Sequence, residues 1–230
     1  MIPTKAYILK IDTPVSNGYA YVAANSCNDV GLPWEYFMGF QNMTGRMAFG
    51  KIGIPTKQTE EYRYVETPPP HEKAMCCTAG HFGIWQAIAE GPDEAAVILE
   101  HDALMLHPMS ISIPENRIVV LGYKVDNPND YNHAKAGPPR EVFDLTGHEG
   151  AHAYAITRST AITLLEEINR KGIRSAVDND YFITTQRRTQ VPLAIVSPTP
   201  AVGWLRQSTI WAKSAARNCI FIPSFQENYK

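Results

Sequence analysis

The chain has 230 residues, 44% of them hydrophobic and 19% charged, with a net charge of −2. This is enough apolar material for one packed α/β domain, and it excludes a disordered chain. No apolar run reaches the ~20 residues that span a bilayer, and the opening MIPTKAYILKID has no small-residue cleavage site, so the expectation is a cytoplasmic protein without a signal peptide.

Residues 5–11 form a short apolar run with β character and predict a first, buried strand. Asp12–Tyr19 carries Pro and Asn-Gly turn chemistry, and a helix is expected over 19–30, stopped by Gly31 and Pro33. WEYFMGF (34–40) predicts a second strand, and a strand–helix–strand opening favours a parallel sheet. Residues 41–73, ending in Pro68-Pro69-Pro70, read as a loop or lid. A helix follows over 74–90, with Met75, Phe82, Trp85 and Ile88 at helical spacing and Gly91-Pro92 closing it. Trp85 reads as core.

AAVIL (95–99) runs without alternation into Glu100 and Asp102. A fully buried strand ending in acidic residues is the profile of a site at a strand's carboxyl edge. RIVVLGY (117–123) predicts another strand, 126–140 a polar loop, and AHAYAIT (151–157) a further strand. Residues 159–172 predict a helix capped by Ser159 and stopped by Gly172. PLAIVSP (192–198) predicts a last strand. The tail beyond Pro200 shows no pattern, which suggests a main domain over 1–200 and a C-terminal extension over 201–230.

Three clusters carry chemistry. In Glu100-His101-Asp102, strand alternation would aim both carboxylates at one site, a hard-oxygen pair suited to Mg²⁺ or Mn²⁺ bridging a diphosphate. In Gly147-His148-Glu149-Gly150-Ala151-His152-Ala153-Tyr154, the glycines suggest close backbone approach to a ligand, and either histidine could complete a metal's coordination or hold a phosphate. Asp178-Asn179-Asp180 offers carboxylates for general-base work, or turn chemistry. The four cysteines match no zinc spacing and read as reduced, partly buried thiols.

The residues then resemble glycosyltransferase family 25, which includes lipooligosaccharide and collagen galactosyltransferases. Cys77-Thr78-Ala79-Gly80-His81-Phe82-Gly83-Ile84-Trp85 resembles its Gly-Cys-x-x-Ser-His-x-x-x-Trp helix. Val97–Ala103 resembles its Leu-Glu-Asp-Asp segment, Gly150–Ile156 with Ser159–Leu165 its Gly-x-x-x-Tyr-x-Ile and Ala-x-x-Leu-Leu run, and Val177–Phe182 its Val-Asp stretch. The motifs fall in family order over most of residues 1–185. His101 replaces the middle Asp, Gly80 replaces a Ser, and the Arg that follows the family's first strand is absent.

The resemblance implies a GT-A-type fold, with a mostly parallel central sheet flanked by helices, and inverting, metal-dependent transfer of a hexose from a UDP-sugar to an acceptor hydroxyl. It implies Mn²⁺ or Mg²⁺ on Asp102 and Glu100, with His152 as a further ligand. Ile8, Lys10, Glu100 and His81 would serve the nucleotide-sugar. Asp178 or Asp180 would be the base, with Asp180 preferred. The acceptor would be a glycan or another hydroxyl compound.

Two alternatives rest on other features. Residues 1–155 carry 11 Lys/Arg against 18 Asp/Glu, whereas 156–230 carry 10 against 5, a balance of −7 and +5. The basic portion, with Arg187-Arg188, Arg206, Lys213 and Arg217, would suit an acceptor such as a hydroxymethylated DNA base. The Glu, Asp and His71, His81, His101, His148 and His152 set could instead build a metal-dependent hydrolase. The His101 replacement also suits an inactive relative that only binds nucleotide.

Overall fold

The structure, a computed structural model, describes residues 1–54, 56, 71–125, 136–148, 150–183 and 187–204. The Pro68–Pro70 run, most of the 126–140 loop, Glu149, Cys219 and the basic residues Arg206, Lys213 and Arg217 lie outside the described residues, as does most of the expected C-terminal extension.

The strands are β1 Ala6–Lys10, β2 Trp34–Met38, β3 Ala95–Glu100, β4 Ala103–Met105, β5 Ile118–Val120, β6 Gly122–Val125, β7 Glu141–Leu145, β8 Ala153–Thr157, β9 Leu193–Ser197 and β10 Ala201–Trp204. The helices are α1 Pro14–Asp29, α2 Gly45–Lys51, α3 His71–Glu90 and α4 Arg158–Lys171, and a π-helical turn spans Asp178–Phe182. Seven strands form one sheet in the order β2-β1-β3-β8-β5-β9-β7. β1, β2, β3, β5 and β9 run one way, and β8 and β7 run against them. This is the mostly parallel α/β sheet flanked by helices that the GT-A resemblance implies.

Alternation within buried strands divides the core in two. Tyr7, Leu9, Ala96 and Ile98 face α2, α3 and α4, packing with Phe49, Phe82, Trp85 and Leu164. Ala6, Ile8, Val97 and Leu99 face the other way, toward Ala20, Ala23, Ala24 and Cys27 of α1. Ile8 is therefore wholly buried core. It has no surface to offer a nucleoside, which corrects the expectation that it lines that pocket.

Several boundaries shift for local reasons. α1 begins at Pro14, not near Tyr19, because the Thr13 side chain accepts from the Ser16 amide and Pro14 supplies a helical φ without a wasted donor. α4 is capped by Thr157 rather than Ser159, its hydroxyl accepting from the Thr160 amide at 3.2 Å. Gly172 does end that helix, at φ 83°. The 41–73 stretch contains α2, capped by Thr44. Residues 117–123 do not form one strand. Leu121 is a joint, with β5 in the large sheet and β6 in a second sheet of order β4-β10-β6. That small sheet decides the site, because it carries Lys124 to the carboxyl edge of β3.

Candidate functional site

Glu100 is the last residue of β3, and its backbone amide donates to the His152 carbonyl at 2.8 Å, just before β8 begins. β1 ends beside it, with Leu9 paired to Glu100. The carboxyl ends of β1 and β3 and the start of β8 thus meet at one edge, where open α/β sheets bind ligands.

Glu100 belongs to the sheet face covered by α3. Cys77 and His81, one turn apart on that helix, both reach it: the Cys77 thiol donates to Glu100 Oε1 at 3.6 Å, and His81 Nε2 lies 3.3 Å from the same oxygen. The other nitrogen of His81 is 2.9 Å from the Tyr154 hydroxyl, which accepts from Trp85 Nε1 at 2.8 Å. The Glu100 carboxylate can only accept, so His81 Nε2–H donates to it, and Nδ1 accepts the Tyr154 hydroxyl hydrogen. The family-like helix motif therefore builds a buried relay, Trp85 to Tyr154 to His81 to Glu100. Burial pushes the Glu100 carboxyl up, but Lys124 and His81 outweigh it and hold it well below the usual carboxylate range. Burial holds the Cys77 thiol well above its ordinary value.

Asp102 is not on the strand. β3 stops at Glu100, and His101 and Asp102 form a turn into β4. His101 points toward Tyr19, with ring centroids 6.3 Å apart, while the Asp102 carbonyl accepts from the Trp204 amide. Glu100 and Asp102 nevertheless converge, and they do so on Lys124: its Nζ is 3.7 Å from Glu100 Oε2 and 3.4 Å from Asp102 Oδ2. The Asp102 side chain is 1% exposed, and neither of its oxygens receives a well-aligned hydrogen bond. The Lys124 ammonium is held above its ordinary range; burial opposes its charge, and the two carboxylates overcome that cost.

His152 is fully buried beside this pair, and neither ring nitrogen makes a well-aligned hydrogen bond. Burial lowers its pKa to about 3, keeping the imidazole in the form that ligates metals. Its ring centroid is 5.5 Å from that of His148, which burial lowers to about 4. The glycines around it serve this packing. Gly150 sits at φ +94°, and a Cβ on Gly203 would meet the His152 ring at 2.4 Å.

Asp178 and Asp180 part ways in the π-helical turn. Asp178 accepts from the Ala151 amide and feels Glu100; burial and that neighbour raise it to about 6, against the pull of His81 and Lys124. Asp180 accepts from the Ser175 amide at 3.0 Å and pairs with Arg174 at 3.6 Å. Its contacts hold the turn, and they do not include the Glu100 cluster. Lys10, at the end of β1, donates to Asn17 Oδ1 at 2.6 Å with its ammonium over the Tyr36 ring.

Asp102, Glu100 and His152 do not present three ligand atoms at one point. Among the described residues, the group whose ligand atoms lie within 4.8 Å of one another is Cys77, His81 and Glu100. That mixed set is already engaged in the relay. The hard-oxygen pair Glu100 and Asp102 fits a divalent ion in another way: a cationic group, the Lys124 ammonium, stands at the point where the two carboxylates meet. Sequence reasoning does not reach Lys124 as a site residue, since nothing in GYKV marks its lysine. Tyr154 stands in the motif resembling Gly-x-x-x-Tyr-x-Ile, but its bond to His81 is visible only in the fold.

No protein-family model matches the chain, and no curated protein matches it. Among solved structures, the galactosyltransferase LgtC, in complex with donor and acceptor sugar analogues, aligns over 98% of this chain and 95% of its own, at 10% identity and a TM-score of 0.42. The apo-form glycosyltransferase GlyE of Streptococcus pneumoniae TIGR4 aligns over 75% of this chain at 8% identity and a TM-score of 0.36. The aligned part is 40% of the GlyE chain. These structural neighbours are glycosyltransferases; at such scores no residue correspondence follows, and the site stands on its own geometry. Among the described residues, no helix is long and apolar enough to cross a membrane.

Proposed function

We propose that the chain transfers a hexose from a nucleotide-sugar donor, a UDP-sugar, to an acceptor hydroxyl with inversion at the anomeric carbon. The observation that carries this reading is the convergence of Glu100 and Asp102 on one cation position at the carboxyl edge of β3, with the Asp178 carboxyl beside it.

Asp102 and Glu100 would hold Mn²⁺ or Mg²⁺, and the buried His152 would join them as a further ligand only after its ring moves toward the pair, since the three do not present ligand atoms at one point here. When bound, the ion supplies positive charge to the departing nucleoside diphosphate. His81, fixed by Tyr154, keeps Glu100 charged and oriented. Lys10, at the end of β1 on the same edge, would serve the nucleoside. Asp178 takes the proton of the acceptor hydroxyl as that oxygen bonds to the anomeric carbon. The bond from that carbon to the diphosphate breaks, and its electron pair leaves with the diphosphate. Asp178 suits this role better than Asp180, whose carboxylate is occupied by Arg174 and the Ser175 amide.

The test is release of nucleoside diphosphate from a panel of UDP- and GDP-sugars with Mn²⁺ or Mg²⁺. Wild type is expected to use one donor, and Asp178→Asn is expected to lose the activity while still binding that donor. Equal turnover by Asp178→Asn would remove the base assignment.

A further inference from the structure

The Lys124 ammonium is a cation that the chain itself places on the carboxylate pair. Its Nζ reaches Asp102 Oδ2 at 3.4 Å and Glu100 Oε2 at 3.7 Å, and the three side chains are 16% exposed or less. Asp102 depends on it, since a carboxylate that is 99% buried and lacks aligned hydrogen bonds is stable only beside a positive charge. Two carboxylates facing one ammonium leave an excess of negative charge, which would repel a diphosphate. A second positive charge must therefore enter with the donor, and the two cations would then compete for the carboxylate oxygens that Lys124 faces, Glu100 Oε2 and Asp102 Oδ2.

Lys124 is built to give way. It stands on the short strand β6, and its backbone position is fixed by pairing with Gly203 of β10. Its flexible stem passes Gly150, where even an added Cβ would stop 4.0 Å from Lys124 Cδ. Resting on the reading of this edge as the donor site, we propose that Lys124 is a donor-binding residue that doubles as a stand-in for the divalent ion. It neutralises Glu100 and Asp102 while the site is empty and pairs with the donor's diphosphate once the carboxylates take a metal. An ordinary structural ion pair would do the first of these and not the second.

The two roles predict opposite effects of one substitution. Mn²⁺ binding without nucleotide is measured by the electron paramagnetic resonance of free Mn²⁺, for the full chain and for Lys124→Met. UDP binding at saturating Mn²⁺ is measured by titration calorimetry on the same samples. Removing the competing charge is expected to tighten Mn²⁺ binding at least about tenfold, and to weaken UDP binding about tenfold. Lys124→Arg is expected to restore much of the UDP affinity. Lys124→Gln repeats both arms in a polar side chain, so a folding defect in the Met variant does not decide the result. Unchanged or weaker Mn²⁺ binding in the Met and Gln variants would overturn the stand-in role, and unchanged UDP binding would overturn the diphosphate contact. If wild type binds neither UDP nor GDP at any Mn²⁺ concentration, the donor-site reading falls, while the Mn²⁺ arm still decides whether Lys124 occupies the ion's position.

Discussion

His81 holds Glu100 from the sheet's α3 side, with Nε2 at 3.3 Å from Oε1, and it can do so in one orientation because Tyr154 fixes its other nitrogen at 2.9 Å. Both residues are fully buried. Tyr154→Phe keeps the packing but removes the hydroxyl, leaving Trp85 Nε1 without its acceptor and His81 free to change tautomer. The cost expected from the unsatisfied buried donor is about 1–3 kcal/mol, read as a lower urea midpoint at an unchanged slope. Activity should fall as well, because His81 is no longer held with Nε2 toward Glu100.

The two carboxylates of the π-helical turn should separate cleanly. Asp178→Asn should lower kcat by about 10²–10⁴-fold while the chain stays folded. Asp180→Asn breaks the Arg174 pair and weakens the Ser175 contact, so it should cost about 1–3 kcal/mol of stability and leave kcat/KM of the folded fraction nearly intact. The reverse pattern would restore Asp180 as the base.

The pH dependence follows from Asp178, whose carboxyl is raised from 3.8 to about 6. A base must be ionised, so kcat/KM should rise with pH through about 6 and level above it. Stability should move the other way. The folded chain binds this proton more tightly than the unfolded chain, so stability declines as pH rises from about 4 to about 6. Asp178→Asn should lack that part of the decline, which denaturant titrations at several pH values would show.

Gly203 offers a test of the site's packing without touching a charged group. A Cβ there would lie 2.4 Å from the fully buried His152 ring. Gly203→Ala should cost about 1–3 kcal/mol and displace His152, weakening Mn²⁺ binding in the presence of nucleotide.

The legible parts of this chain were those where one local rule acts alone. The apolar run ending in Glu100 marks a buried strand and its carboxyl edge, and the α3 motif places Cys77 and His81 one turn apart. Where tertiary context decides, sequence reasoning stopped short. EVFDL (141–145) hides as a strand because β7 is an edge strand with exposed and half-buried positions. AVGW (201–204) is too short and too close to Pro200 to announce β10. RIVVLGY splits at Leu121 because two sheets claim its halves, and no propensity records that. Strand alternation predicts both carboxylates of the Glu-x-Asp frame on one strand, yet the second is delivered by a turn. Ile8 was placed by its position near a strand end, whereas the strand's alternation sends its side chain into the α1 core.

Whether Glu100 and Asp102 serve a cation at a nucleotide-sugar site is read from nucleoside diphosphate release from UDP-sugars by wild type and Asp102→Ala, each with Mn²⁺ and with chelator. Release from one donor, abolished by chelator and absent in Asp102→Ala, is expected. Donor turnover that survives both chelator and the loss of Asp102 would rule the cation role out.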